Sequence, residues 1–188
     1  MIKNKTVCIL LADGFEEVEA LYPADLFKRL GLNVILSGIE TLTVRGAHDI
    51  KVSANNLLSD ISVADFDAII LPGGLPGATN LRDDKNVLDI LHFADKNSKI
   101  IAAICAAPIV LHEAGIANNK RTTGYPGTEQ LAHNPNFKFT GKAVETDGNI
   151  ITAIGMGQAA NFAFAIAQAL GFSNEQINNL AQNAFINI

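Results

Sequence analysis

Continuous apolar runs alternate with amphipathic stretches along this chain, and the alternation predicts its architecture. Thr6-Val-Cys-Ile-Leu-Leu-Ala12 is apolar at nearly every position and rich in branched residues, as a strand covered on both faces must be. Ala68-Ile-Ile-Leu71 and Lys99-Ile-Ile-Ala-Ala-Ile104 share this character, and Val34-Ile-Leu36 is a shorter run of the same kind. Between them lie helical stretches over about Phe15–Leu30, closed by Gly31, about Asn86–Lys96, and Pro108–Ala114, closed by Gly115. Leu42 to Ser53 alternates as a hairpin does, with Gly46 near its turn. Ala143–Glu145 and Ile150–Ile154 flank the turn residues Asp147-Gly148-Asn149, a second hairpin signal. Helices over about Ala159–Leu170 and Asn174–Asn183 finish the chain. The pattern predicts one α/β domain over residues 1–188: a mostly parallel sheet with helices on both faces and a small β-hairpin. Ligands of such sheets gather beyond the carboxyl ends of the strands, which points to Asp13-Gly14, Pro72-Gly73-Gly74 and Cys105.

Composition narrows the classes. Of 188 residues 48% are hydrophobic and 18% charged, enough apolar matter for a sizeable core and too little charge for a disordered chain. A net charge of −5 argues against a nucleic-acid groove, which needs a surplus of Lys and Arg. No apolar run reaches the ~18 residues of a membrane span. Met1-Ile2-Lys3-Asn4-Lys5 leads into the first strand without a signal-peptide cleavage pattern, so a cytoplasmic protein is expected. Cys8 and Cys105 have neither metal-ligand nor disulfide-framework spacing and read as free thiols.

Cys105 falls where a buried strand gives way to a helix. Its surroundings, Ala103-Ile104-Cys105-Ala106-Ala107-Pro108, supply the small residues two positions away that a nucleophile elbow requires. Pro108 suits a first helical turn, where its missing N–H has no partner to lose. A thiol at a helix start meets the positive end of the dipole, and reactivity near neutral pH is expected. The plainer alternative is a small buried hydrophobe, and that is the reading for Cys8, which sits within the first strand. Gly73-Gly74 follow an adjacent strand and leave amides unobstructed; with the amide of Ala106 they are candidate donors to an oxyanion.

Glu19 lies on the apolar stripe formed by Phe15, Tyr22, Leu26 and Leu30. A carboxyl facing the core is costly to ionise, so it is expected to hold a proton near neutrality. Pro23 removes the amide that would bond the Glu19 carbonyl, which predicts a kink. Glu16 and Glu17 are explained as first-turn acids facing the helix dipole. Ala20, Ala24 and Phe27 form a second apolar flank, suited to a partner chain or a neighbouring helix.

Gly155-Met156-Gly157-Gln158-Ala159-Ala160 imitates a dinucleotide fingerprint, but no strand follows its helix and no acidic residue stands where a ribose contact needs one. Its glycines are read as close helix–sheet packing, and no NAD is expected. His48, His92, His112 and His133 lack neighbours that fix a role and read as surface or capping residues. Without a His or Cys/His cluster no metal site is expected.

Taken together, Ala12-Asp-Gly-Phe-Glu-Glu-Val-Glu19, Leu71-Pro-Gly-Gly74, Ala102-Ala-Ile-Cys-Ala-Ala-Pro108 and Gly155–Ala160 resemble the ThiJ/PfpI superfamily over nearly the whole chain. The likeness is strongest to the branch of the parkinsonism-associated protein deglycase and its bacterial relatives. It implies a flavodoxin-like homodimer whose nucleophile is Cys105, whose acid is Glu19 and whose oxyanion amides are those of Gly74 and Ala106. Gly73 and Tyr125 become candidates for the substrate pocket. The implied activity is a cofactor-free glyoxalase or deglycase acting on methylglyoxal-like 2-oxoaldehydes or glycated macromolecules. The alternative it implies is a sensor or chaperone whose Cys105 is oxidised to a sulfinic acid. The protease-like branch carries His directly after the nucleophile, where this chain has Ala106, so peptidase action is not expected. Many members of the deglycase branch carry His where Thr122-Thr-Gly-Tyr-Pro126 has Tyr125. Class I glutamine amidotransferases share the elbow, but the His-x-Glu pair that would complete their triad is missing here.

Overall fold

A computed structural model describes residues 5–187; the Met1–Asn4 segment read above for a leader lies outside them. β1 (Thr6–Leu11), β2 (Asn33–Gly38), β6 (Ala68–Leu71), β7 (Ile100–Ile104) and β9 (Ile150–Ala153) form the body of a sheet. A two-residue β5 (Asn56–Leu57) and β8 (Val144–Asp147) form its edges, giving the order β5-β2-β1-β6-β7-β9-β8. Every pairing is parallel except β8 with β9, where Asp147 stands opposite Ile150 across Gly148-Asn149. A separate hairpin pairs β3 (Thr43–Arg45) with β4 (Lys51–Ser53). This is the mostly parallel, flavodoxin-like α/β sheet with a small hairpin that the sequence predicts.

The period of two along the central strands sorts side chains between two cores. Val7, Ile9 and Leu11 of β1 join Ala102 and Ile104 of β7 on the face covered by α1 (Glu17–Arg29), α5 (Ala159–Ala169) and α6 (Asn174–Asn183). Cys8, Leu10, Ile101 and Ala103 point the other way, toward α2 (Gly77–Asp83), α3 (Lys85–Lys96) and α4 (Pro108–Glu113). Cys8 is therefore core, as expected.

One sequence reading is decided and another changes. Ala20, Ala24 and Phe27 are buried within this chain, because α5 packs along that flank of α1; they offer nothing to a partner. The same helix leaves Val18 and Leu21 as its exposed apolar residues. α1 also begins two residues later than expected, since Phe15 bridges to Gly46 before the helix starts, and it continues through Pro23. α2 and β5 are new: with Ala78 and Leu81 as its apolar contacts, α2 is too short to show a period. Among the described residues no helix is long and apolar enough to cross a membrane.

β1 sends the chain to β2 on one side and, later, to β6 on the other. The carboxyl ends of β1, β6 and β7 thus meet at the point where strand order reverses.

Candidate active site

The last residue of β7 is Ile104, and Cys105 follows with φ of 63°. An L-residue in the left-handed region is uncommon, and here it turns the chain sharply out of the strand. Strand alternation would send Cys105 to the α4 side with Ala103; the turn instead sets it against the α1 core, half-buried. Its amide donates to Ala153 (2.9 Å) and its carbonyl accepts from the Tyr125 amide (2.7 Å). Ala103 and Ala107 are fully buried around it, so larger side chains have no room at the elbow.

Glu19 comes from the facing helix and is also fully buried. Gly73 donates its amide to Glu19 Oε2 at 2.9 Å, while Oε1 has no hydrogen-bond partner. Gly73 has to be glycine: a Cβ there would lie 2.6 Å from Cys105 Cβ and 2.7 Å from Glu19 Oε2. Gly74 has φ of 84°, and a Cβ on it would strike the Glu16 amide nitrogen at 2.3 Å. The amides of Ala106 and Gly74, the expected oxyanion donors, face the Cys105 sulfur.

Burial pushes the Glu19 carboxyl up to about 7, against the opposing pull of the Gly73 hydrogen bond and, less strongly, the neighbouring Cys105 thiol. Burial first, and an ionised Glu19 second, push the Cys105 thiol up to about 12. The helix dipole therefore does not by itself lower this thiol as the sequence suggested; α4 starts only at Pro108. The two groups titrate as a pair that resists a second negative charge. Of the two, Glu19 is the first to ionise, and the two amides that face the sulfur offset only part of what burial and the Glu19 charge do to the thiol.

Tyr125 is drawn to the elbow by its backbone, with its side chain more than half exposed at 56%. Gly124 permits the approach, since a Cβ there would lie 2.9 Å from the Cys105 carbonyl oxygen. The Gly155-Met156-Gly157 segment is not close packing. A Cβ on Gly157 would meet nothing within 4 Å, and one on Gly155 would stop 3.8 Å from Tyr125 Cδ2.

Sequence reasoning missed Glu17. This carboxylate is buried, accepting from the His48 amide at 2.8 Å and lying 2.9 Å from His48 Nδ1. Burial pushes it upward, but the hydrogen bonds from His48 and Ile50 outweigh that and hold it below the usual carboxylate value. His48 is raised in turn, chiefly by its hydrogen bond to Glu17. The contact pins the β3–β4 hairpin to the start of α1, and a Cβ at Gly46 would collide with the Glu17 carboxyl at 2.2 Å. The other histidines have partners of their own. His92 lies 2.6 Å from the Ala114 carbonyl, His112 stacks on Phe137 at 3.5 Å, and His133 sits near Asp83 and Glu113.

A sharp thiol-bearing turn beyond a parallel strand, with glycine amides and a buried carboxyl facing it, defines a cysteine-elbow α/β protein. The chain belongs to the DJ-1/PfpI family, whose model matches residues 5–169. It is 34% identical to the dj-1beta protein of Drosophila melanogaster over 97% of this chain and 98% of that one. The crystal structure of Drosophila DJ-1beta superimposes with a TM-score of 0.91, covering 98% of this chain and all of the other. A glutathione-independent glyoxalase of Caenorhabditis elegans is 32% identical over 90% of this chain and 91% of its own length. A deglycase of Pyrococcus abyssi is 30% identical over 78% and 88%.

Proposed function

We propose that this protein is a cofactor-independent glyoxalase or deglycase that converts 2-oxoaldehydes such as methylglyoxal, free or as adducts, into 2-hydroxy acids. The observation that carries the reading is the juxtaposition of Cys105 with a buried Glu19 whose carboxyl is pushed toward neutrality. The worm glyoxalase and the archaeal deglycase among its relatives support the reaction class.

The Cys105 thiolate adds to the aldehyde carbon, forming a C–S bond as the carbonyl π electrons move to oxygen. Amides of Gly74 and Ala106 receive that oxygen, and Gly73 shapes the floor of the pocket. Glu19 gives a proton to that oxygen and then, as a carboxylate, takes the proton from the former aldehyde carbon and returns it to the neighbouring carbon, while the hydroxyl proton passes to the ketone oxygen, so that the ketone becomes a hydroxyl and the hemithioacetal a thioester. Water then cleaves the thioester and regenerates the thiol. The substrate plus one water equals the hydroxy acid, with no external oxidant or reductant. A carboxyl that titrates near neutral pH suits both directions of this transfer.

The test is lactate formation from methylglyoxal without glutathione. Wild-type protein should produce it, and Cys105→Ser and Glu19→Gln should each remove it; turnover retained in either variant refutes the mechanism. The same reading includes a cytoplasmic homodimer, supported by the apolar Val18 and Leu21 left exposed on α1. A monomer by light scattering at micromolar concentration would count against the dimer.

A further inference from the structure

No spacing in the sequence marks a metal site, yet the fold assembles one set of ligands from two elements. Glu16 and Glu17 stand where α1 begins, and His48 stands in the turn of the β3–β4 hairpin, 31 residues beyond Glu17. One ligand atom of each lies within 4.8 Å of the other two, the only such group of three among the described residues.

Both carboxylates address the same ring nitrogen. His48 Nδ1 is 2.9 Å from Glu17 Oε2 and 3.7 Å from Glu16 Oε1. Ligands around a tetrahedral zinc ion at ordinary bond lengths stand about 3.3 Å apart, so the two separations bracket what an ion would impose. His133 shows the contrast. Its acidic neighbours approach opposite nitrogens, Glu113 at Nδ1 and Asp83 at Nε2, and one ion cannot serve both.

The three ligands are held in place by bonds of their own. The Glu16 amide donates to the Gly73 carbonyl (2.8 Å), and the Ala47 amide, next to His48, donates to the Phe15 carbonyl (2.8 Å). Glu17 Oε1 accepts from the His48 amide, which leaves Oε2 and Nδ1 facing each other. The Glu17 side chain is buried and that of His48 is 67% exposed, so the group is anchored at depth and open to water at its rim.

We propose that Glu16, Glu17 and His48 bind a divalent transition-metal ion of the zinc type, with water completing its shell. One imidazole and two carboxylates suit such a cation, whereas calcium and magnesium take oxygen ligands. The ion replaces the proton that Nδ1 otherwise shares with Glu17. Bound there, it clips the hairpin to the helix that carries Glu19 and takes no part in the steps at Cys105.

The test uses metal-free protein without an affinity tag, in the Cys105→Ser background so that the thiol does not compete for the ion. Calorimetric titration with zinc should show one ion per chain. Loss of a group that merely supports a ligand costs about tenfold to a hundredfold in metal affinity, so His48→Ala and Glu17→Gln should each weaken binding at least that much. His48 is exposed, so its replacement leaves the fold intact. Nitrogen NMR of the imidazole rings reads the site without a ligand variant: zinc should move Nδ1 of His48 and leave His92, His112 and His133 unchanged. No uptake of zinc in excess, binding undiminished in His48→Ala, or a shift at another histidine in place of His48 would each overturn the site.

Discussion

Gly73 holds Glu19 through one hydrogen bond, 2.9 Å from its amide to Oε2, and the other carboxyl oxygen is buried without a partner. Protonation turns that unsatisfied acceptor into a donor, which is the form that can share a hydrogen with a neighbouring thiolate. The glycine therefore fixes the position of the acid, while burial favours its protonated form against the pull of that same hydrogen bond.

Glu19→Gln is expected to lower the midpoint of Cys105 alkylation against pH, because it removes the negative charge that, after burial, pushes the thiol up. The shift should be about one pH unit. Iodoacetamide rates measured between pH 6 and 11 read this directly. An upward shift would mean that the wild-type carboxyl keeps its proton and donates it to the thiolate.

Stability should fall as pH rises from about 4.5 to about 7, because the folded Glu19 holds its proton after the unfolded chain has released it. The contribution is fully present below 4.5 and lost on passing the raised value. The span corresponds to on the order of 3 kcal/mol. Urea denaturation at several pH values should show this slope in wild type and a flatter one in Glu19→Gln.

Gly73→Ala should destabilise the fold by about 2 kcal/mol or more, as overpacking of a closed site does. The added carbon would press on Cys105, Glu19 and the Ile104 carbonyl at once, and the last of these cannot rotate away. A lower urea midpoint together with lost selectivity for Cys105 over Cys8 in alkylation is the expected pair of results.

The Glu17–His48 contact gives the hairpin its own pH response. His48 is raised, so its part of the contact is complete below the ordinary histidine value and disappears as pH climbs through the raised one. Glu17 is lowered, so its part is present above the ordinary carboxylate value and is lost as pH falls through the lowered one. Hydrogen exchange at the His48 amide should be slowest between those limits. Glu17→Ala should speed it at least tenfold while leaving exchange in β1 and β7 unchanged.

Mild peroxide should add two oxygens to Cys105 and none to Cys8. Cys8 is fully buried within β1, and burial pushes its thiol up to about 12 with nothing nearby to offset it. Cys105 is half-buried, and two amides and a carboxyl are in position to hold a sulfinate. Two equivalents of peroxide supply both oxygens and leave as water. Intact mass followed by peptide mapping decides between the two cysteines; an unmodified Cys105 would remove the sensor alternative.

The central strands were legible because burial on both faces leaves a continuous apolar run, as in Ile9-Leu10-Leu11 and Ala68–Leu71. Glu19 was legible because one carboxyl on an apolar stripe has few explanations. Glu17 was not: its burial is made by His48, some 31 residues away, and no helical period encodes that. Ala20, Ala24 and Phe27 left two occupants open because an apolar flank reads the same whether α5 or a second chain covers it. The Gly155 and Gly157 pair misled for a related reason, since a glycine marks close approach and open space with the same letter. The thiol was misjudged because its surroundings are set by Glu19 from another element rather than by the short helix that follows it.

The two margins of the main sheet are protected in different ways. One margin is β5, only two residues long, and the other is β8, which bears Glu145 and Asp147 beside Arg121. A foreign strand finds little unpaired main chain to extend on the first, and fixed charges along the second. The seven-stranded layer therefore ends where it does, and a concentrated solution of the folded protein should resist stacking into fibrils by strand addition.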